Sequence, residues 1–401
     1  MTKPSPERPA GVWRFGDFVL DTHRYELRRD GQSVHVEPQV FDVLTQLVSH
    51  HDRFVTKEEL FDSVWGGRFV GEAALTSRIK AARRALGDDG ESQRFIRTVR
   101  GRGYQFVGTL TEAVATPPER APAPRQHIAF CRGADGVRLA YAVAGDGPPL
   151  VRAANWMTHL GYDIESPVWR HWVRDLALAH TFIRYDERGC GLSDWDTGDF
   201  TFGDWVTDLE SVVEALGLER FPLLGVSQGG AVAVAYAARH PDRVSHLVLC
   251  GAYARGRAVR AVGEDEKRAA ALDLDLARVG WGRDDPAFRQ VFAAQFQPDG
   301  TRADWEAFDH LQRRTTSSEN AVRFLDEFGR IDVRDDAKRV SCPTLIMHSA
   351  DDHRVPMRYG EELAALIPDS RLVALNSNNH LLTESEPAWQ MFRTELAAFL
   401  I

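Results

Sequence analysis

The sequence is poor in cysteine and has no long apolar run, and both absences narrow what it can be. Its four cysteines, Cys131, Cys190, Cys250 and Cys342, form no CxxC pair. That spacing excludes a zinc ribbon or a dithiol redox motif and fits reduced, mostly buried thiols. Met1-Thr2-Lys3-Pro4-Ser5-Pro6 lacks the apolar core of a secretory signal. The best apolar stretch, Gly229 to Ala238, is about half of a membrane span. A cytoplasmic location with no membrane partner is expected. His159, His348 and His353 have no metal-ligand spacing and read as pocket or surface residues, so neither a metal nor a cofactor is expected. Excess basic charge is missing too. A formal net charge of −9 argues against indiscriminate nucleic-acid binding.

That charge is unevenly spread. From Arg78 to Arg102 there are eight basic residues (Arg78, Lys80, Arg83, Arg84, Arg94, Arg97, Arg100, Arg102). Three acids oppose them, Asp88, Asp89 and Glu91, leaving a local excess of +5. A chain of 401 residues is long for one core, so two domains are expected. Between Pro117 and Pro124 four prolines remove backbone donors and favour an extended, semi-stiff linker. The division predicted is a first domain at 11–108, a linker at 109–127 and a second domain at 128–401.

In the first domain, apolar and polar residues alternate from Trp13 to Leu27, and Asp30-Gly31 is a hairpin signal. Pro38 opens a helix with Phe41, Leu44 and Val48 on one face. Thr56 and Glu59 form a capping box for a second helix. A third helix, from about Glu72 to Leu86, turns Leu75, Ile79, Ala82 and Leu86 inward. Thr76, Ser77, Arg78, Lys80, Arg83 and Arg84 are left facing out. Arg97, Arg100 and Arg102 lie on or beside a hairpin whose glycines, Gly101 and Gly103, permit a tight tip. A charge run alone would read as a solvated face.

The order of a four-strand sheet, three helices and the hairpin Thr98-Val99-Arg100-Gly101-Arg102-Gly103-Tyr104 resembles the OmpR/PhoB-type winged-helix domain. Leu86-Gly87-Asp88-Asp89 is similar to that family's helix exit. The resemblance implies double-stranded DNA as partner. The third helix would offer Thr76, Ser77, Arg78, Lys80, Arg83 and Arg84 to bases and phosphates, and the wing would offer Arg97, Arg100 and Arg102. A homodimer is expected. Relatives of this type place a receiver domain before the winged helix or a membrane helix after it. Neither is visible, so the input signal is expected from the C-terminal half, from a partner, or from nowhere.

From Ile128 the pattern becomes alternating strand and helix, which predicts a largely parallel sheet covered on both faces. The stretch from about 255 to 332 breaks that rhythm and reads as a helical lid. Leu223-Leu224-Gly225-Val226-Ser227-Gln228-Gly229 is an apolar strand, a sharp turn and a small-residue helix start. Its glycines allow the strained turn that exposes a serine. Two later strands end in an acid-rich loop (Asp351-Asp352-His353-Arg354-Val355-Pro356) and a histidine loop (Asn378-Asn379-His380).

Serine, acid, histidine is the chain order of the α/β-hydrolase superfamily, which residues 128–399 resemble, including Tyr185-Asp186-Glu187-Arg188-Gly189-Cys190-Gly191-Leu192-Ser193-Asp194. The resemblance implies Ser227 as nucleophile, His380 as base and Asp352, with Asp351 the alternative, as its orienter. It also implies an oxyanion hole from the backbone N–H groups of Gln228 and Trp156. Two positions depart from the family. Ala153-Ala154-Asn155-Trp156 stands where His-Gly is usual, with Asn155 a further side-chain donor, and Asn379 replaces a glycine before the histidine.

The fold class expected is α/β: an N-terminal winged helix-turn-helix (α+β) followed by an α/β-hydrolase domain with a helical lid. The function expected is a one-component transcription regulator sensing a small apolar carbonyl-containing ligand, an ester or lactone. Two alternatives are an active serine ester, lactone or C–C hydrolase whose winged helix only localises it, and a catalytically dead scaffold for a protein partner.

Overall fold

The computed structural model describes residues 12–22, 26–34, 36–65, 71–112, 124–283 and 286–400. The chain forms two compact units, dividing between Arg120 and Ala121.

The first unit opens with β1 (Val12–Phe15), β2 (Phe18–Asp21), β3 (Glu26–Arg29) and β4 (Gln32–Val34), an antiparallel meander. Asp30 and Gly31, both at positive φ, make the two-residue turn between β3 and β4. There follow α1 (Pro38–Ser49), β5 (Val55–Thr56), α2 (Lys57–Trp65) and α3 (Glu72–Ala85). The α2 box closes reciprocally, Thr56 N–H to Glu59 Oε2 at 2.8 Å and Glu59 N–H to Thr56 Oγ1 at 3.1 Å. A hairpin of β6 (Ile96–Val99) and β7 (Gly103–Phe106) then pairs with β5. Phe15, Phe18, Phe95 and Phe106 pack together at the centre of a core that takes Leu44 and Val48 from α1 and Leu75, Ile79 and Ala82 from α3.

Three sequence expectations change here. The first sheet has five strands rather than four, because β8 (Leu110–Glu112) pairs with β1. The linker is consequently shorter than 109–127, since Gln126 and His127 also belong to a strand; residues 113–123, which hold three of its four prolines, lie outside the described residues. Gly101 has φ +74° and supplies the hairpin tip, but Gly103 serves another purpose. A Cβ there would stand 2.0 Å from the Val55 carbonyl oxygen, so it permits the close approach of β5.

The second unit is a sheet of β9 (Gln126–Arg132), β10 (Arg138–Ala144), β11 (Pro149–Arg152), β12 (Thr181–Tyr185), β13 (Phe221–Val226), β14 (Val244–Cys250), β15 (Thr344–Ser349) and β16 (Ser370–Leu375). Their spatial order is β16-β15-β14-β13-β11-β12-β10-β9. All neighbours from β12 to β16 are parallel, whereas β9 and β10 are antiparallel additions at one edge. Helices α4 (Leu160–Asp163), α5 (Arg170–Ala177), α6 (Phe202–Ala215) and α7 (Gln228–Arg239) lie between the earlier strands. Small residues let α7 bury nearly every side, including Ala231, Ala233, Ala235 and Ala237.

Between β14 and β15 the chain leaves the sheet for α8 (Arg257–Arg260), α9 (Glu264–Gly280), α10 (Pro286–Phe296), α11 (Arg302–Thr315) and α12 (Ser318–Arg330). An isolated bridge between Arg255 and Asp332 closes the base of this excursion. The return passes α13 (Arg334–Ala337), and α14 (Arg358–Leu366) and α15 (Pro387–Phe399) complete the unit. No described helix is long and apolar enough to cross a membrane.

Candidate active site and nucleic-acid-binding face

The carboxyl ends of the parallel strands are where an open α/β sheet gathers its functional loops. Ser227 caps β13 with φ +52° and ψ −122°, a strained conformation for a residue with a Cβ. The strain persists because the turn is closed in around it. A Cβ on Gly229 would lie 2.6 Å from the Ala154 carbonyl oxygen, and one on Gly225 2.6 Å from the Gly230 Cα. The Ser227 N–H also donates to Cys250 O at 2.9 Å, tying the turn to β14.

His380 Nε2 stands 2.8 Å from Ser227 Oγ, and its Nδ1 stands 2.7 Å from Asp352 Oδ2. The Asp352 and His380 side chains are fully shielded from solvent. Burial by itself would raise the Asp352 pKa, but the charge and hydrogen bond of His380 and the Val355 N–H hold it below the usual carboxylate value. Asp352 Oδ1 takes the N–H groups of Arg354 and Val355, both at 2.8 Å, so the carboxylate is oriented by its own loop. Asp351 is exposed. His348 donates from Nε2 to Val355 O at 2.6 Å beneath the same loop, and burial holds its pKa below the ordinary histidine value.

The two positions that depart from the family are both engaged. Asn155 is not a spare donor: its Nδ2 donates to Trp156 O at 3.0 Å and its Oδ1 accepts from Arg152. Asn379 holds the histidine loop in place, accepting the Asp299 N–H at 3.1 Å and donating to Glu386. The N–H groups of His380 and Leu381 both donate to Phe296 O, at 2.9 and 3.1 Å. The histidine loop therefore hangs on the last residue of α10.

Trp156 N–H, expected to face an oxyanion, is occupied. It donates to Gln228 Oε1 at 3.3 Å, while Gln228 Nε2 donates to Glu187 Oε1 at 3.0 Å. Burial raises the Glu187 pKa to about 8. Its neighbours are structural. Asp186 accepts the N–H groups of Leu160 and Leu192, and Arg188 makes a bidentate pair with Asp208. Glu187 carries no local sequence signal as a site residue, because the side chain it meets, Gln228, lies 41 residues along the chain.

Above Ser227 lies a cavity of about 260 Å³ lined by Trp156, Phe296, Phe308, Leu325 and Phe328, with Arg257, Arg260 and Arg354 also on its wall. Trp156 stacks on Trp281 at 5.1 Å, so the lid is packed directly on the loop that follows β11. Trp281 is buried core and Trp305 half-buried.

In the first unit, Ser77, Lys80, Arg84, Arg100 and Arg102 are exposed. Thr76 is exposed but back-bonds to Glu72 O at 2.9 Å, and exposed Arg97 donates to Gln105 Oε1. Arg78 is half-buried between Gln39 Oε1, at 3.1 Å, and an ion pair with Glu37. Arg83 departs from its outward expectation. It reaches Ile96 O and Thr98 Oγ1, each at 2.8 Å, because β6 passes beside the end of α3. Asp88 secures that hairpin by accepting the N–H groups of Arg94, Phe95 and Ile96.

Residues 161–387 match the alpha/beta hydrolase fold, and residues 31–106 match the C-terminal domain of transcriptional regulatory proteins. Non-heme chloroperoxidase CPO-A1 of Kitasatospora aureofaciens is 28% identical over 285 residues, 68% of this chain and 98% of that protein. Pyrrolizixenacetamide deacetylase of Xenorhabdus hominickii is 26% identical over 269 residues, 66% of this chain and 95% of its own length. A hydrolase of Pseudomonas aeruginosa PA01 superposes with a TM-score of 0.57 at 26% identity, over 68% of this chain and 98% of that one.

Proposed function

The chain belongs to the alpha/beta hydrolase family, with an OmpR/PhoB-type winged-helix domain ahead of the hydrolase fold, and on that premise we propose that it is a one-component transcription regulator. In this reading a homodimer in the cytoplasm binds duplex DNA through α3 and the wing. A small apolar ester or lactone in the hydrolase pocket sets the affinity.

The observation that carries the reading is the coexistence, in one chain, of a basic winged-helix face and a pocket whose lid holds the histidine loop through Phe296. A ligand changes DNA affinity only if it binds two arrangements unequally. Contacts to a lid that packs on Trp156 supply a means of doing so. The occupied Trp156 N–H favours binding over fast chemistry. A reporter dose–response tests this: Ser227→Ala responds at lower doses than wild type, because it binds without consuming. Loss of response in a stable, DNA-binding Ser227→Ala protein contradicts it.

The complete Ser227–His380–Asp352 geometry favours a second reading, a working ester or lactone hydrolase whose winged helix is an accessory. Turnover by the full-length protein that operator DNA leaves unchanged would favour this one.

A further inference from the structure

Arg260 is the last residue of α8 and lines the same cavity as Ser227. Its guanidinium lies over the ring of Tyr359 at 4.3 Å and that of Tyr253 at 5.5 Å. Nη1 is buried and has no hydrogen-bond partner, while Nη2 reaches only the Arg354 carbonyl oxygen, at 3.4 Å. Among the described residues no carboxylate lies within ion-pair distance of it.

The other cations of the cavity are compensated. Arg257 and Arg354 share Asp273, the latter at 2.7 Å, and Lys267 pairs with Glu264 at 3.2 Å. Asp326, also on the wall, pairs with Arg330 at 2.6 Å. Among the described residues one guanidinium is thus left with its charge unopposed, while the other charged groups on the wall are paired with one another or with neighbours. A buried cationic donor without an acceptor is unfavourable. Burial also pushes its pKa below the ordinary arginine value.

We infer that the pocket takes an acyl or lactone compound bearing one carboxylate, which seats on Arg260 while the reacting carbonyl meets Ser227. A single free guanidinium matches a single negative charge, and the Asp273 carboxylate on the same wall opposes a second. A cationic ligand would meet repulsion from Arg260. The apolar walls accept the carbon chain between the two polar ends. This inference rests on the reading of the cavity as the ligand site and revises its ligand from a wholly apolar one to one with a single charged end.

The test uses full-length protein and three p-nitrophenyl esters of similar length: the adipic acid monoester, its methyl ester, and the 6-aminohexanoic acid ester. A charge-assisted hydrogen bond predicts kcat/KM for the free acid about ten- to a hundredfold above that of the methyl ester, with the amine the poorest. Arg260→Met, checked for folding by its thermal melt, collapses the acid preference, and Arg260→Lys keeps part of it. Calorimetry on Ser227→Ala with monomethyl adipate and dimethyl adipate gives the same order without chemistry. Equal kcat/KM or equal binding of acid and neutral ester overturns this inference alone. So does a preference that survives in folded Arg260→Met. If neither ester is turned over and neither adipate binds, the reading of the cavity falls as well.

Discussion

Gln228, the residue after Ser227, donates from Nε2 to Glu187 Oε1 at 3.0 Å. The other end of the same amide accepts the Trp156 N–H. One side chain thus links a buried carboxyl to the backbone donor proposed for an oxyanion, and in that proposal the donor has to be released before it can serve one.

Replacing the amide should release it. Gln228→Met keeps the length of the side chain, removes the acceptor and leaves the residue's own N–H in place. Hydrolysis of p-nitrophenyl acetate should rise about two- to tenfold, the worth of one neutral hydrogen bond. A fall in rate would mean that the amide shapes the oxyanion loop rather than obstructing it.

Glu187 adds a pH dependence to stability. Its carboxyl keeps a proton up to about pH 8 in the fold, against an ordinary value of 4.5. Between those values the native chain binds more protons than the unfolded one. Its contribution is therefore full below about pH 4.5 and is lost as pH rises through 8. Glu187→Gln should flatten the decline in urea stability between about pH 5 and pH 8.5 by a few kcal/mol. An unchanged slope would assign the decline to other buried acids.

If Ser227 is the nucleophile proposed, its reactivity depends on His380 as base. A fluorophosphonate should label Ser227, and His380→Ala should slow labelling by roughly a thousandfold or more. Labelling at the wild-type rate in His380→Ala would remove the histidine from the activation of Ser227.

On the DNA side, Arg100→Ala should weaken binding to all duplexes alike and lower the salt slope by about one. If Arg78 contacts DNA as proposed, it has first to leave Glu37, so Glu37→Gln should strengthen binding. Arg78→Ala should cost about 1–3 kcal/mol and relax sequence preference. Anisotropy titrations that rank all three variants with wild type would remove α3 and the wing from the interface.

Much of this was legible because its causes are local. The Thr56–Glu59 box, the Asp30-Gly31 turn and the glycines around Ser227 depend on neighbours a few residues away. What was hidden depends on distant pairing. Leu110-Thr111-Glu112 becomes a strand only because it meets β1 at Phe15, Arg14 and Trp13. Helical periodicity turns Arg83 outward, but β6 lies there to receive it. Asn155 reads as a free donor until Arg152 and the Trp156 carbonyl are found to engage it. Among the described residues Arg260 has no carboxylate partner because the two acids on the cavity wall, Asp273 and Asp326, pair with other cations, which only the fold reveals.

Coupling between the pocket and DNA can be read in one titration. Full-length protein is used to select a duplex from random sequence, and the Kd for that duplex is measured before and after stoichiometric modification of Ser227 by a long-chain fluorophosphonate that fills the cavity. Coupling predicts that Kd shifts at least about fivefold, the lower end of ordinary allosteric effects. Identical Kd values for free and fully modified protein would contradict it.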